Sequence, residues 1–342
     1  APFYWNIAEN IDMLVKPSYI QERGSKIESS YRYLNKNYSG SLFVSYLDDD
    51  SQYKKSAKNT SGKSDRYNFY FEHQQELSNN LKVDLMYDKF SDKDYFDDFG
   101  TGISRSSTTY KTRYAKFNYN KNGWDINSQF LGYQTFDKNI SQSSQPYDIL
   151  PEINIAKRWD KNIINYDLKT SLSQWSHVSK VDGTRADIQI GVDKTFLTKG
   201  ISVTPRLKIQ HTKYDLEKQD ASFSSNPSKT IPIFSIDSMM TLSKQIENTN
   251  IAHQIKPRIF YLYSAEENQD DIPIFDTGLN DFSYSQLFRD NAYSGLDRNN
   301  DTNQLTFSLS SSFYNLDESR DLFTLSLGQI LYLEDRNVSL DN

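Results

Sequence analysis

The sequence predicts an all-β protein, an antiparallel transmembrane β-barrel, from three observations: alternating polar and apolar residues, no long apolar run, and many aromatic residues. Because successive side chains of a strand point to opposite faces, an alternating segment has one apolar face and one polar face. About fifteen segments of roughly ten residues repeat this pattern, with lengths that suit strands facing lipid on one side and a watery lumen on the other. The clearest segment, 201–210, sets Ile201, Val203, Leu207 and Ile209 against Ser202, Thr204, Arg206, Lys208 and Gln210.

The composition excludes two other classes of protein. The chain is 36% hydrophobic and 25% charged, and no window approaches eighteen consecutive apolar residues, so a helical membrane protein is excluded. The 24 Tyr, 20 Phe and 4 Trp argue against disorder. Pairs such as Tyr31 with Tyr33 and Tyr261 with Tyr263 suit the aromatic girdles of a barrel, although a soluble sheet also uses cross-strand aromatic pairs.

Charge and cysteine content narrow the chemistry further. The net charge of -6 gives no indication of nucleic-acid binding. With no cysteine, these residues offer no disulfide, zinc-thiolate site or thiol nucleophile. The chain starts directly in aromatic, strand-like sequence, so we expect a mature form or an internal segment of an exported protein.

Short and long connections alternate along the predicted strands. The short ones are rich in Asn, Gly, Asp and Lys, which tolerate the positive φ of tight turns. A bacterial barrel alternates in this way, with short periplasmic turns and long external loops. The short connections are 35–40, 78–80, 120–123, 160–162, 198–200 and 247–250, and the long ones are 48–65, 91–107, 136–148, 215–231 and 264–302.

No catalytic or metal site is predicted, and we expect neither enzyme activity nor a cofactor. The carboxylate runs 48–50 and 97–98 lie in predicted loops and are interpreted as solvated turn residues, with divalent-ion contacts to lipid phosphate as the alternative. Asp297, Asn299 and Asp301 imitate the start of a calcium-binding EF-hand loop. That interpretation is rejected because Thr302 and Ser308 stand where the motif needs glycine and glutamate.

Five stretches of the sequence are distinctive. The most distinctive is the loop sequence FDTGLNDFSYSQLFRDNAYSGLDR at 275–298. The others are PFYWNIAENID at 2–12, KPSYIQERGSKIESSYRYL at 16–34, PRIFYLY at 257–263 and GQILYLEDR at 328–336. Together these stretches resemble the outer-membrane lipopolysaccharide-assembly proteins of the LptD (OstA, Imp) family.

The resemblance implies a barrel of twenty-six strands behind a periplasmic jelly-roll domain. Residues 1–342 then form a single β-barrel segment from the N-terminal part of that barrel, with a long extracellular loop at 264–302. The jelly roll, the C-terminal strands and the family's disulfide cysteines are expected to be absent from this chain.

The resemblance also implies a function, a location and partners. The function would be transport of lipopolysaccharide through the lumen and a lateral gate into the outer leaflet of the Gram-negative outer membrane. The partners would be lipopolysaccharide, the lipoprotein LptE as a lumen plug, a periplasmic bridge protein reached through the missing N-terminal domain, and outer-membrane lipid. A passive porin or receptor barrel is the alternative, and a soluble all-β adhesin is a third possibility.

Two prolines match the family's lateral gate. Pro2 and Pro17 lie in early strand-like sequence, and a proline has no N–H to donate to a ladder. A seam with fewer hydrogen bonds between the first and last strands would part more easily. Ordinary edge-strand proline remains the alternative for both residues.

Two further residue sets are candidates for contact with the transported lipid or for closing the lumen. Basic residues on the polar parity would face the lumen: Arg32, Lys169, Arg185, Arg206, Lys208 and Arg258. The long loop 264–302 is too apolar for a solvated excursion, so we expect it to fold into the barrel mouth with a helical turn near 284–289. Its candidate plug residues are Phe275, Phe282, Tyr284, Leu287 and Phe288.

Overall fold

The computed structural model describes residues 1–59, 62–100, 109–160 and 164–340. Among these residues the helices are the short α1 (Ser51–Lys54) and α2 (Tyr95–Phe99) and two 3₁₀ turns (Gln142–Ser144 and Tyr284–Phe288). No helix in this described part is long and apolar enough to cross a membrane. The strands are β1 (Phe3–Ala8), β2 (Ile11–Ile20), β3 (Gly24–Leu34), β4 (Tyr38–Leu47), β5 (Arg66–Ser78), β6 (Leu81–Phe90), β7 (Tyr110–Lys121), β8 (Trp124–Thr135), β9 (Asp148–Asp160), β10 (Asn165–Ser176), β11 (Asp182–Asp193), β12 (Phe196–Thr198), β13 (Ile201–Glu217), β14 (Ser228–Met240), β15 (Leu242–Gln245), β16 (Ile251–Ser264), β17 (Thr302–Asn315) and β18 (Arg320–Tyr332).

Eighteen strands belong to one sheet in the described residues, and strands that follow each other along the chain pair antiparallel. The all-β antiparallel prediction is therefore confirmed. The count exceeds the predicted fifteen partly because two ladders are interrupted. The short β12 pairs with β13, as β11 does, and the short β15 pairs with β16, as β14 does.

The predicted alternation of connections is present. Short links such as 79–80, 122–123 and 199–200 alternate with the links that contain α1, α2 and the Tyr284–Phe288 turn. The predicted turn 160–162 falls largely outside the described residues. The predicted loop 215–231 is too long, because β13 continues to Glu217 and β14 starts at Ser228. Those added strand residues include Leu216, which is buried.

The chain divides into two compact units. Unit 1 comprises Ala1–Asn154 with Leu172–Asp182, and unit 2 comprises Ile155–Ser171 with Gly183–Asn342.

The sheet of unit 2 is inverted relative to a soluble protein. On β13, Leu207 and Ile209 are 47% and 50% exposed, whereas Lys208 and Thr212 are 6% and 0% exposed. Neighbouring strands repeat this arrangement. Their exposed side chains include Ile188, Ile190, Phe307, Leu309, Phe323, Leu325 and Leu327, and their buried ones include Arg185, Asp187, Gln304, Thr306 and Ser312.

Unit 1 shows the same inversion. On β5, Tyr67 and Phe69 are exposed while Arg66 and Asn68 are buried. Since a water-soluble sheet buries its apolar side, this pattern suits a sheet with an apolar solvent outside and polar groups within.

A matched pair of arginine substitutions on β13 tests the two faces. Leu207→Arg places a charge on the apolar face and is expected to lower the free energy of unfolding in a bilayer by about 2–4 kcal/mol. Thr204→Arg lies on the polar face, directly across from Asp237 of β14. It should change stability by less than about 1 kcal/mol. Equal losses in a membrane-folding titration would contradict the assignment of faces.

Candidate functional site

The candidate site is the polar face of unit 2 together with the segment that covers it. Residues 265–301, called here the long loop, connect β16 to β17. The loop lies across the polar face and forms hydrogen bonds or ion pairs with side chains of β11, β13, β14 and β17.

Asp297 is the centre of this contact and is fully buried. Its Oδ1 accepts hydrogen bonds from Arg185 Nη1 of β11 at 2.7 Å and from the Tyr214 hydroxyl of β13 at 3.0 Å. Its Oδ2 accepts from the backbone N–H groups of Phe275 at 2.8 Å and Asp276 at 3.0 Å. One carboxylate therefore joins two parts of the long loop to two strands.

Arg185 is held by a second carboxylate of the loop. Its guanidinium donates to both Asp276 oxygens, at 2.8 and 2.7 Å, and its side chain is 1% exposed. Burial raises the pKa of the Asp276 carboxyl, but the hydrogen bonds and positive charge of Arg185 outweigh it and hold that pKa below its ordinary value. The pair is charged at neutral pH.

A second polar contact lies further along the loop. Lys229 Nζ of β14 donates to Asn299 Oδ1 at 2.8 Å and to Gln269 Oε1 at 3.2 Å. Asn299 in turn donates through Nδ2 to Gln210 Oε1 of β13 at 3.0 Å. The ammonium of Lys208 pairs with the loop carboxylate Asp290. The two strand ammonium groups, Lys229 and Lys208, thus meet oxygen acceptors of the loop, and Asn299 of the loop meets an acceptor on β13.

The long loop is also held by apolar packing, for which the sequence predicted the loop residues but not their partners on the strands. Phe288 packs against a buried apolar cluster on the otherwise polar face, and Leu287, 2% exposed, occupies the space left by Gly328 of β18. A Cβ at Gly328 would lie 2.4 Å from Leu287 Cδ1. The sequence did contain a signal for these partners, because a strand with apolar residues on both parities is covered on both faces. The cluster consists of Ile231, Ile233, Phe260 and Leu262, from the stretches TIPIF and IFYLY.

The candidate plug residues occupy different environments. The helical turn expected near 284–289 is the 3₁₀ turn Tyr284–Phe288. Phe275 and Leu287 are buried, and the Tyr284 hydroxyl lies 2.9 Å from Ser310 Oγ of β17. Phe282 is 79% exposed and lies outside the packed set.

Five of the six candidate basic residues have carboxylate partners. Arg185 and Lys208 are paired with the long loop, as described. Arg206 donates to Asp167 at 2.6 Å, and Arg258 donates twice to Asp237, at 2.8 and 2.6 Å. Arg32 forms a two-pronged pair with Asp12 at 2.9 and 2.7 Å, with 66% of its side chain exposed. The remaining candidate is Lys169, which is exposed on β10.

The prediction that the carboxylate runs 48–50 and 97–98 are solvated is confirmed for the exposed Asp48, Asp49 and Asp97 and is wrong for Asp50. Asp50 is fully buried, accepts a 2.6 Å hydrogen bond from Arg23 and caps α1. Asp98 pairs with Arg66 at 2.7 Å, and the Arg66 guanidinium also stacks 4.1 Å from the Tyr53 ring centroid. Burial raises the pKa of Asp98, but the hydrogen bonds and positive charges of Arg66 and Arg23 outweigh this effect and lower that pKa. The prediction failed at Asp50 because Arg66, a strand arginine buried beneath these loops, needs counter-charges.

The two candidate gate prolines lie at the start of the sheet. Pro2 precedes β1, and Pro17 of β2 stands across from Ile27 of β3. Leu34 N–H donates to the Asn10 carbonyl, and since ladder bonds alternate, odd residues of β2 direct their N–H away from β3. The N–H that Pro17 lacks would therefore point to the side of β1, whose pairing stops at Phe3 opposite Val15.

No group of three or more His, Asp or Glu in the described residues is arranged to hold a metal ion. What the site offers is a polar surface of paired charges, amides and hydroxyls under a closely fitted loop, behind an apolar outer face. These features define a membrane-embedded β-sheet protein.

The family model for LptD, described as LPS transport system D, matches residues 64–342. The chain therefore belongs to the LptD family. It is 31% identical to the LPS-assembly protein LptD of Nitrosococcus oceani over 99% of this chain and 46% of that protein. It is also 31% identical to LptD of Hahella chejuensis, over 99% of this chain and 44% of that protein. The chain thus spans about half the length of the curated relatives it matches.

Among solved structures, a bacterial polysaccharide outer membrane secretin aligns with 96% of this chain and 92% of its own. The TM-score is 0.34 and the sequence identity is 10%, values too low to support a conclusion about this chain.

Removing the central arginine tests the loop contact. Arg185→Gln leaves the buried charge of Asp297 without its ionic partner and is expected to cost about 3–5 kcal/mol. Arg32→Gln breaks an exposed pair and should cost at most about 1 kcal/mol. Denaturant unfolding in detergent micelles measures both. Similar losses for the two variants would contradict the central role of Arg185.

The pKa of Asp276 predicts how loop docking depends on pH. Because its folded pKa is lowered, Asp276 contributes stability that is complete above its ordinary pKa of 3.8 and is lost as pH falls through the lower folded value. A spin label at Ser285→Cys should therefore be immobile at neutral pH and gain mobility only as the pH falls below the ordinary carboxyl pKa of 3.8. Asp276→Asn should reduce that gain, and an unchanged pH response in this variant would exclude Asp276 as a contributor.

Proposed function

We propose that this chain is part of the barrel of a lipopolysaccharide transporter in the outer membrane of a Gram-negative bacterium. The observation that carries the proposal is the inverted sheet of an LptD-family chain, apolar outside and polar within. The apolar face contacts membrane lipid, and the polar face lines the path of the sugars and phosphates of lipopolysaccharide.

The polar face suits such a cargo. Sugars are recognised through hydroxyls and amides, which this face supplies in Gln210, Thr306 and Ser310. Gln210 and Thr306 are buried beneath the long loop, so they reach cargo only where the loop is displaced. Phosphates need cations that are not fully occupied by internal carboxylates. Lys169, which is exposed, and Arg206, whose side chain is 30% exposed, meet that need better than the buried Arg185.

The long loop restricts the path. It covers the polar face of unit 2 through both ion pairs and apolar packing, so cargo passes beside it or displaces it. In this role it is the plug segment that the apolar loop sequence predicts.

The exit is lateral. The lipid part of the cargo leaves through a seam between the first strand and the last strand of the complete barrel. Pro17 contributes on the β1 side of β2, just beyond the last paired position of β1, where the missing ladder donor leaves the strands next to the seam less firmly held.

The remaining partners act on parts of the path that this chain does not provide by itself. The lipoprotein LptE plugs the lumen, and a periplasmic bridge protein delivers lipopolysaccharide through the N-terminal domain of the full-length protein. No catalytic step is proposed, because the cargo is moved and not altered.

Strengthening the seam tests the proposal. Pro17→Thr in the full-length protein restores an N–H, and each regained bond contributes on the order of 1 kcal/mol. Surface lipopolysaccharide should appear more slowly, and a disulfide across the seam should stop its delivery. Pro205→Thr on β13 is the matched control and should leave delivery unchanged. Normal delivery with the seam cross-linked would overturn the lateral exit, and failure to co-purify a lipoprotein would favour a passive porin.

A further inference from the structure

Arg113 of β7 lies on the apolar face of unit 1. Its parity on the strand is that of Ala115 and Phe117, and it stands across from Gly132 of β8. On the same face Phe117 and Phe130 are 38% and 42% exposed. A guanidinium on a face that meets lipid is costly unless it finds a counter-charge or reaches the headgroups.

A groove of about 500 Å³ opens beside this arginine. Aromatic and aliphatic side chains form most of its walls. Together with Arg113 and Gly132, the lining includes Phe71, Leu85, Phe130 and Leu150.

The guanidinium has few partners. Arg113 Nη2 donates to the Tyr133 carbonyl at 3.3 Å, and no carboxylate oxygen of the described residues lies within 4 Å of its charged nitrogens. Arg185 and Arg258, by contrast, are both paired with carboxylates. Asp148 also lines the groove, with its Oδ1 occupied by the Tyr133 N–H at 2.9 Å.

The groove lies toward the end of the strands that carries the longer connections. The pairing of β6 with β7 runs from Leu81↔Tyr119 to Met86↔Tyr114 and stops there, although β6 continues to Phe90. Beyond them the side-chain amide of Gln134 bonds to the backbone N–H and carbonyl of Phe90, at 3.0 and 2.9 Å. Arg113 is three residues from the start of β7, or about 10 Å at 3.3 Å per residue, which suits the headgroup level of the outer leaflet.

We propose that this groove binds one lipopolysaccharide molecule of the outer leaflet, with a lipid A phosphate on Arg113 and an acyl chain against the apolar wall. The identity of the lipid rests on the proposed location and cargo. Asp148 is the nearest carboxylate and forms no ion pair with Arg113, so a phosphate supplies the direct ionic contact that this arginine lacks. A guanidinium binds phosphate through two parallel hydrogen bonds. Gly132 leaves room for the lipid beside Arg113, because a Cβ at position 132 would lie 3.1 Å from Arg113 Nε and 3.4 Å from Asp148 Oδ1.

Native mass spectrometry of the full-length protein in detergent, titrated with bisphosphorylated lipid A, tests the site. Arg113→Gln should reduce occupancy of the tightest site at least about tenfold, the scale of one lost charged contact. Gly132→Leu keeps the charge but fills the groove, and should reduce occupancy similarly. Lys82→Gln is the control, because it removes an exposed cation of β6 at the opposite end of the strand. Its occupancy should equal that of the unmodified protein.

Three further arms identify the ligand. The unmodified protein should bind dephosphorylated lipid A more weakly than the bisphosphorylated form. Arg113→Gln should bind the two forms equally. Equal binding of both lipid A forms to the unmodified protein would overturn the phosphate contact, and unchanged occupancy in both groove variants would overturn the site. If phosphatidylglycerol competes at equal concentration, the groove is a general phospholipid site and the assignment to lipopolysaccharide is wrong. Delivery in the seam experiment does not use this groove, so that result stands or falls separately.

Discussion

The two-residue period of a β-strand is the constraint on which this structure depends. Apolar residues on one parity, such as Leu207 and Ile209, face outward, so the charged and polar residues of each strand are directed to the other face. Charges gathered there must be paired, since an unpaired buried charge costs several kcal/mol or more. The connections at one end of the strands provide many of those partners, and this need explains why loops fold onto the sheet.

In the long loop a single carboxylate supplies several of these partners. Asp297 satisfies Arg185 and Tyr214 while its second oxygen accepts backbone N–H groups from the start of the same loop. The carboxylate thereby fixes both the docking of the loop and its internal shape. Apolar packing of Leu287 and Phe288 adds a contribution that does not depend on charge. A loop held in two such ways resists both salt and acid better than one held by ion pairs alone.

Paired cations also change the interpretation of the polar face. Basic side chains on a lumen wall appear from sequence to be free for phosphate, yet Arg185, Lys208 and Arg258 are already bound to carboxylates. The exposed Lys169 and the partly exposed Arg206 are better placed for a passing anion. Arg113, on the apolar face of unit 1 and in no ion pair with a carboxylate of the described residues, was not singled out by the alternation pattern.

The sequence by itself determined which side chains share a face, where the chain turns, and that the long loop is too apolar for water, because these properties depend on residues close together in the chain. Alternation over 201–210 predicts the exposed Leu207 and the buried Lys208 without knowledge of any neighbour. Only the tertiary structure decided which carboxylate meets which cation. Asp50, Asp98 and Asp297 look like ordinary loop residues, and Asp297 reaches Arg185 across more than a hundred residues of chain. The burial of Asp50 and Asp297 and the pairing of Asp98 follow from the folding of loops onto strands, and a pairing between distant positions leaves no periodic signal in the sequence.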